Sequence, residues 1–111
     1  MNEFSSKKLL KTRDVLMQKL LKIASCGIRG SIIERYKKCG KKNCKCANGK
    51  GHGPKFYISV SRKEKHPDMH YVPQELKEKV QDSINHYRNA RNILEEISEI
   101  NRELFLRREF F

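Results

Sequence analysis

Apolar residues recur at helical spacing near the start of the chain. Between residues 5 and 25 seven of them follow this spacing, and lysine and arginine fill much of the remainder. Ser5 or Ser6 can cap such a helix, because a serine hydroxyl accepts a hydrogen bond from a free amide of the first turn. Gly27 and Gly30 then favour the end of the helix. The pattern predicts an amphipathic helix over 5–25, within an N-terminal segment 1–30. The seven residues at helical spacing are Leu9, Leu10, Leu16, Met17, Leu20, Leu21 and Ile23.

The spacing changes from helical to alternating in the segment 31–72. Residues 31–38 are rich in β-branched and aromatic side chains, and residues 55–61 alternate strictly. A charged turn over 62–68 separates them from a short third run at 69–72. We expect a three-stranded antiparallel sheet in which a glycine-rich loop joins the first two strands. In the second strand, one face carries Phe56, Ile58 and Val60, and the other carries Tyr57, Ser59 and Ser61.

The last segment, 73–111, predicts a long helix. Pro73 stands at the favoured first-turn position, and neither proline nor glycine occurs after it. A heptad pattern runs along this helix to about Arg108, with Asn101 at an a position, where asparagine fixes the register of a dimer. The pattern therefore favours a coiled-coil homodimer, and packing on helix 5–25 of the same chain is an alternative that does not exclude it. The a positions are Val80, Tyr87, Leu94 and Asn101, and the d positions are Ser83, Ala90, Ile97 and Leu104.

Together these elements predict one small α+β domain. With 111 residues, 37% of them hydrophobic and none of them tryptophan, the chain can bury only a modest core. A bound metal or a partner subunit would add the stability that such a core lacks. No apolar stretch resembles a signal peptide or a membrane span, so the sequence favours a cytoplasmic location, where thiols stay reduced.

Positive charge is concentrated in the middle of the chain. The formal net charge is +12, and residues 31–65 contribute eleven basic residues against two acidic ones. Clustered cations are the electrostatic signature of a nucleic-acid binder, although a merely solvated surface is the plainer interpretation. Lysine outnumbers arginine there, which favours contact with phosphates over reading of bases. The C-terminal third is mildly acidic.

Three of the four cysteines lie in this basic middle, close to a histidine. Cys39, Cys44, Cys46 and His52 form a C-x4-C-x-C-x5-H set of thiolate and imidazole ligands, which suits a tetrahedral zinc site. Neighbouring glycines permit the tight turns that such a knuckle requires. Cys26 is an alternative fourth ligand. Small packing residues, free thiols, disulfides and an iron–sulfur cluster are the competing interpretations.

Several short motifs together resemble a known group of proteins. The similarity covers roughly residues 28–105, and the group is an uncharacterised family of short bacterial and archaeal proteins that are often encoded near transposases. The resemblance implies a mobile-element setting, with a transposase or recombinase as a further partner, and it supplies no assigned residues. The motifs are Arg35-Tyr36-x-x-Cys39-Gly40-x-x-x-Cys44-x-Cys46, Gly51-His52-Gly53-Pro54, Phe56-Tyr57, Tyr71-Val72-Pro73 and Asn101-Arg102-Glu103-Leu104.

The sequence thus favours a nucleic-acid-binding accessory or regulatory protein, with DNA preferred over RNA. Tyr57 is the best stacking candidate, because it faces away from the core residue Phe56. A protein-interaction adaptor that uses its helices is the alternative. No motif indicates an enzyme. The candidate phosphate contacts are Arg35, Lys37, Lys38, Lys41, Lys42, Lys45, Lys50, Lys55, Arg62, Lys63 and Lys65.

Overall fold

The computed structural model describes residues 3–37 and 52–109 of the chain. It confirms the α+β class, with an N-terminal helix, a three-stranded antiparallel sheet and a long C-terminal helix. The predicted cysteine knuckle lies outside the described residues. The elements are α1 Ser6–Ala24, β1 Ser31–Lys37, β2 His52–Arg62, β3 Lys65–Val72 and α2 Lys77–Leu106, with a 3-10 turn Gln74–Leu76 before α2.

The chain divides into two compact units, which are described separately. The helical unit contains Met1–Ile28 and Asn85–Phe111, and the sheet unit contains Arg29–Ile84. The helix α2 contributes its first residues to the sheet unit and the remainder to the helical unit. Neither described helix includes a stretch long and apolar enough to cross a membrane.

In the helical unit, α1 packs on the second half of α2. Ser5 caps α1, accepting a hydrogen bond from the backbone N–H of Lys8 at 3.2 Å, as the sequence predicted. Leu9, Ile100 and Leu104 form a buried cluster, on which Leu10 and Leu16 of α1 also pack. Burial of these apolar side chains against each other is the main favourable contribution to the pairing of the two helices.

Asn101, an a position of the heptad pattern, forms a hydrogen bond with α1 of the same chain. Its Oδ1 accepts a hydrogen bond of 2.9 Å from the Arg13 guanidinium of α1. Ile97 is buried, whereas Leu94, at an a position, is 57% exposed. The alternative of packing on helix 5–25 is therefore present in the single chain, through Ile100, Asn101 and Leu104. The homodimer stays a prediction.

The sheet is a meander in the order β1-β2-β3, with β2 in the centre. The connection between β2 and β3 is shorter than the charged turn expected at 62–68, because it consists of Lys63 and Glu64 only. Glu64 adopts a left-handed φ of 59° in this tight turn. Pro67 falls where the register between β2 and β3 shifts, which is where an edge strand tolerates proline.

The two faces of the sheet differ in burial. Cross-strand pairing places Phe56 opposite Val72, which are 4% and 2% exposed, and this side is called the packed face. On the other side none of the described residues is buried, and this side is called the open face. The open face carries Ser31, Ile33 and Arg35 from β1, Lys55, Tyr57 and Ser59 from β2, and Met69 and Tyr71 from β3.

Gly27 and Gly30 serve close packing more than helix termination. The helix α1 already ends at Ala24, before either glycine. A Cβ at Gly30 would lie 2.7 Å from Cγ2 of Ile58, and its φ of +154° disfavours any other residue. A Cβ at Gly27 would lie 3.2 Å from the backbone of Tyr87. The missing side chains thus let Tyr87 lie close to Gly27 in the helical unit and Ile58 lie close to Gly30 in the sheet unit.

The entry to α2 differs slightly from the prediction. Pro73 has an extended ψ of 145° and precedes a 3-10 turn, so it lies just before the helical residues instead of among them. The first residue of α2, Lys77, places its Nζ 4.1 Å from the centroid of the Phe56 ring. This cation–π contact covers the ring of Phe56 on the packed face.

Candidate nucleic-acid interface

Two tyrosines pair at the centre of the open face. Tyr57 and Tyr71 are cross-strand partners, and their ring centroids lie 5.8 Å apart with an interplanar angle of 69°. This edge-to-face arrangement is favourable for aromatic rings. Tyr57 is half-buried, whereas Tyr71 on the edge strand β3 is 58% exposed. The pair therefore exposes the ring of Tyr71 to solvent, and the ring of Tyr57 packs against it.

Two cations stand beside the tyrosine pair. Cζ of Arg35 lies 6.0 Å from the centroid of the Tyr57 ring, and Arg35 is the cross-strand partner of Lys55. Like charges directly opposite each other on adjacent strands are destabilising. Neither Arg35 nor Lys55 forms an ion pair with any residue in the described ranges. No described acidic side chain therefore neutralises their positive charge.

The other described candidate cations lie at the opposite end of the sheet. Arg62 continues the alternation of the packed face and forms an ion pair of 3.3 Å with Asp68. Lys63 lies in the turn, and Lys65 is the cross-strand partner of Arg62. Arg62 is seven positions after Lys55, a distance of roughly 23 Å along an extended strand. The predicted cations whose side chains are described thus form two groups, one with Arg35 and Lys55 and the other with Arg62, Lys63 and Lys65.

Arg29 joins this second group, although its position in the sequence gave no signal. Its guanidinium donates to the Ser61 hydroxyl at 3.3 Å and to the Ser61 carbonyl oxygen at 3.1 Å. Ser61 lies two positions before the β2–β3 turn. Only the pairing of distant segments brings Arg29 to this end of the sheet.

The remaining predicted site residues fall outside the described side chains. The backbones of Lys37 and His52 are paired in the β1–β2 register. Segment 38–51, which joins these two positions, contains the other predicted ligands and cations. These are Cys39, Cys44, Cys46, Lys38, Lys41, Lys42, Lys45 and Lys50, and all lie outside the described residues.

Cys26 has a partner that sequence reasoning missed. Its Sγ lies 3.1 Å from Nδ1 of His86, and it also donates a weak hydrogen bond of 3.6 Å to the Ile23 carbonyl oxygen. Sixty residues separate the cysteine from the histidine, so no local pattern could reveal the contact. Within residues 3–37 and 52–109, no group of three or more histidine, cysteine, aspartate or glutamate side chains could hold a metal.

The fold and the interface define a small α+β protein whose sheet presents an aromatic and cationic open face. Residues 6–82 match the family model of DUF6788, a domain of unknown function, and the chain belongs to this family. The match includes α1, all three strands and the first turn of α2, so the open face lies within it. Comparison with curated proteins and with solved structures finds no match.

Proposed function

We propose that this protein binds nucleic acid, DNA in the first place, through the open face and the adjoining basic segment 38–51. The supporting observation is the pairing of Arg35 with Lys55 beside two tyrosines, without an acidic partner in the described residues. Phosphates would neutralise this like-charge pair, and the aromatic rings would contact bases or sugars. The resemblance noted in the sequence supports a role as an accessory or regulatory factor of a mobile element.

Salt dependence of binding tests the proposal. The affinity for duplex or single-stranded oligonucleotides should fall log-linearly with salt, because each neutralised phosphate releases condensed counterions. Replacing Arg35 and Lys55 by glutamine should weaken binding and flatten the slope by about 1.8 for duplex DNA, corresponding to two contacts. The matched control replaces Lys7 and Lys11, two exposed cations of α1, and should change little.

The control variant distinguishes binding at the open face from attraction of nucleic acid by the net charge of the protein. Equal losses in both double variants would mean that only net charge matters, and the open face would not be the binding surface. Absence of binding to any nucleic acid at low salt would refute the function itself. Replacing Lys41, Lys42 and Lys45 by glutamine extends the same measurement to the basic segment.

Zinc binding in segment 38–52 is a further part of the proposal. The ligand chemistry would come from Cys39, Cys44, Cys46 and His52. The backbone of His52 pairs with that of Lys37, which is two positions before Cys39 in the sequence. Elemental analysis should find about one zinc per chain, and chelation should lower the thermal midpoint. A metal-free protein that melts cooperatively and ignores added zinc would contradict this part alone.

Exposed apolar side chains of the helical unit support the second candidate, a protein-interaction adaptor. Met17, Leu21, Leu94 and Phe105 are 47%, 75%, 57% and 53% exposed. An amphipathic partner helix, or a second copy of the chain, would bury them. Light scattering at micromolar concentration distinguishes a homodimer from a monomer. Replacing Leu21 and Leu94 by glutamate should abolish association while leaving the buried cluster of Leu9 intact.

A further inference from the structure

Building on the proposed function, we propose that the open face binds single-stranded nucleic acid and that Tyr71 is the platform on which an unpaired base stacks. Tyr71 is the most exposed tyrosine or phenylalanine among the described residues of the sheet, and its edge-to-face contact with Tyr57 holds it in place. A stacking platform requires an aromatic surface that is accessible and fixed in orientation. Tyr71 meets both conditions.

Tyr57 has a supporting position instead. Sequence alternation marked it as the stacking residue because it faces away from Phe56. In the structure its ring is half-buried between the two neighbouring strands, with Tyr71 on one side and the Arg35 guanidinium on the other. The ring of Tyr57 therefore orients Tyr71 and Arg35, and the edge strand β3 presents the accessible surface.

Charge complementarity identifies the ligand class. No aspartate or glutamate from the described strand residues shares the open face, whereas Arg35 and Lys55 both do. The strands β1 and β3 lie on either side of β2, about 10 Å apart. A single strand that crosses the sheet can place a base on Tyr71 and its phosphates over Arg35 and Lys55.

Unpaired bases fit this face better than a duplex does. The bases of a duplex are stacked on each other, and their planes are inaccessible to a tyrosine ring on a sheet. The major groove of a duplex admits a helix or a two-stranded ribbon, whereas Tyr71 lies on the face of a three-stranded sheet. Ile33 and Met69, both half-buried, add apolar contacts next to the tyrosines on the same face.

A tryptophan reporter tests the stacking directly, because the natural chain contains no tryptophan. The variant Tyr71→Trp should show fluorescence quenching when a single-stranded oligonucleotide binds, since a stacked base quenches the indole. Phe105→Trp is the control, because Phe105 is similarly exposed at 53% but belongs to the helical unit. Quenching in the Tyr71→Trp variant alone supports the proposal, and equal quenching in both variants overturns it.

Affinity measurements complete the test. Tyr71→Val, which keeps a strand-forming residue, should weaken binding of a single-stranded oligonucleotide roughly 5- to 150-fold, the range expected for one stacked base. Tyr71→Phe should bind like the wild type, because stacking requires the ring and not the hydroxyl. His70→Val changes the adjacent exposed position of β3, on the opposite face, and should have no effect.

The outcomes separate this inference from the function on which it rests. If no nucleic acid binds, both fail. If binding persists and depends on Arg35 and Lys55 but not on Tyr71, or if the duplex binds more tightly than the single strand, the inference is overturned and the proposed function stands. Polyglutamate is the probe for an acidic polypeptide, and binding as tight as that of the oligonucleotide would also overturn the inference.

Discussion

Phe56 and Tyr57 are adjacent in β2 and lie on opposite faces of the same sheet. Phe56 is 4% exposed, its partner Val72 is 2% exposed, and the Lys77 ammonium covers its ring. Tyr57 meets Tyr71, which is 58% exposed, and the guanidinium of Arg35. Both faces thus combine aromatic rings with a cation. On the packed face the cation completes a buried environment, and on the open face it remains accessible.

The difference shows that residue type alone does not decide whether an aromatic side chain is structural or available for binding. Alternation assigns neighbouring residues to opposite faces, and the rest of the fold then determines which face is covered. In this sheet the start of α2 contributes Lys77 to the packed face. Four changes probe the comparison, beginning with the largest expected effect and ending with the smallest.

Truncation of Phe56 should have the largest effect. Phe56→Ala removes a buried ring and leaves a cavity, which should lower the free energy of unfolding by about 3–5 kcal/mol. For a small domain whose total stability is about 5–15 kcal/mol, such a loss is severe. Urea denaturation followed by circular dichroism measures it, and an unfolded variant at room temperature also agrees with the prediction.

Truncation on the open face provides the contrast. Tyr71→Ala removes a ring that is more than half exposed. We expect it to lower the free energy of unfolding by about 1 kcal/mol, mostly through the lost contact with Tyr57. If both truncations destabilised the protein equally, the open face would be part of the core. The comparison between the faces would then be wrong.

A substitution at Gly30 should have an intermediate effect. Gly30→Ala places a Cβ 2.7 Å from Cγ2 of Ile58 and 3.1 Å from the Ser59 carbonyl oxygen, at a φ of +154°. We expect a loss of about 1–3 kcal/mol from backbone strain and crowding on the packed face. Ser31→Ala, at the next and exposed position, is the control and should be nearly neutral. A neutral Gly30→Ala would show that β1 can shift away from β2.

Much of this fold could be predicted from local patterns. Helical spacing and a serine cap located α1 to within a residue at each end, because both signals depend only on nearby residues. Strict alternation likewise identified β2 and separated Phe56 from Tyr57. The start of β2 at His52 was not predicted, because Gly53 and Pro54 are typical of a loop. A register shift between β1 and β2 accommodates them.

The candidate interface was only partly predictable, because it depends on cross-strand partners. Composition identified the cations, but the sequence did not show that Arg35 faces Lys55 or that Arg62 is paired with Asp68. The same limit applies to the tyrosines, because the sequence did not show that Tyr71 is more exposed than Tyr57. Alternation gives the face of a residue, whereas exposure on that face depends on which strand lies at the edge.

Neutralising Lys55 should have the smallest effect on stability, and of the opposite sign. Lys55→Gln removes the repulsion with Arg35, its cross-strand partner, so we expect the free energy of unfolding to rise by a few tenths and at most about 1 kcal/mol. The same change should weaken nucleic-acid binding by the loss of one phosphate contact. A substitution that stabilises the fold while it impairs binding indicates a residue retained for its ligand and not for structure.

Lys79→Gln provides the matched control, because Lys79 is an exposed lysine of α2 in the same sheet unit. It removes the same charge without a described cationic cross-strand partner, so neither stability nor binding should change appreciably. Urea midpoints and salt-dependent binding of both variants give the comparison. If Lys55→Gln destabilised the protein, Lys55 would have a structural role, and the open face would lose one of the two cations whose side chains are described there. If Lys79→Gln also raised the stability and weakened binding, general repulsion among the excess positive charges would explain both results. The arrangement of residues on the open face would then not be their cause.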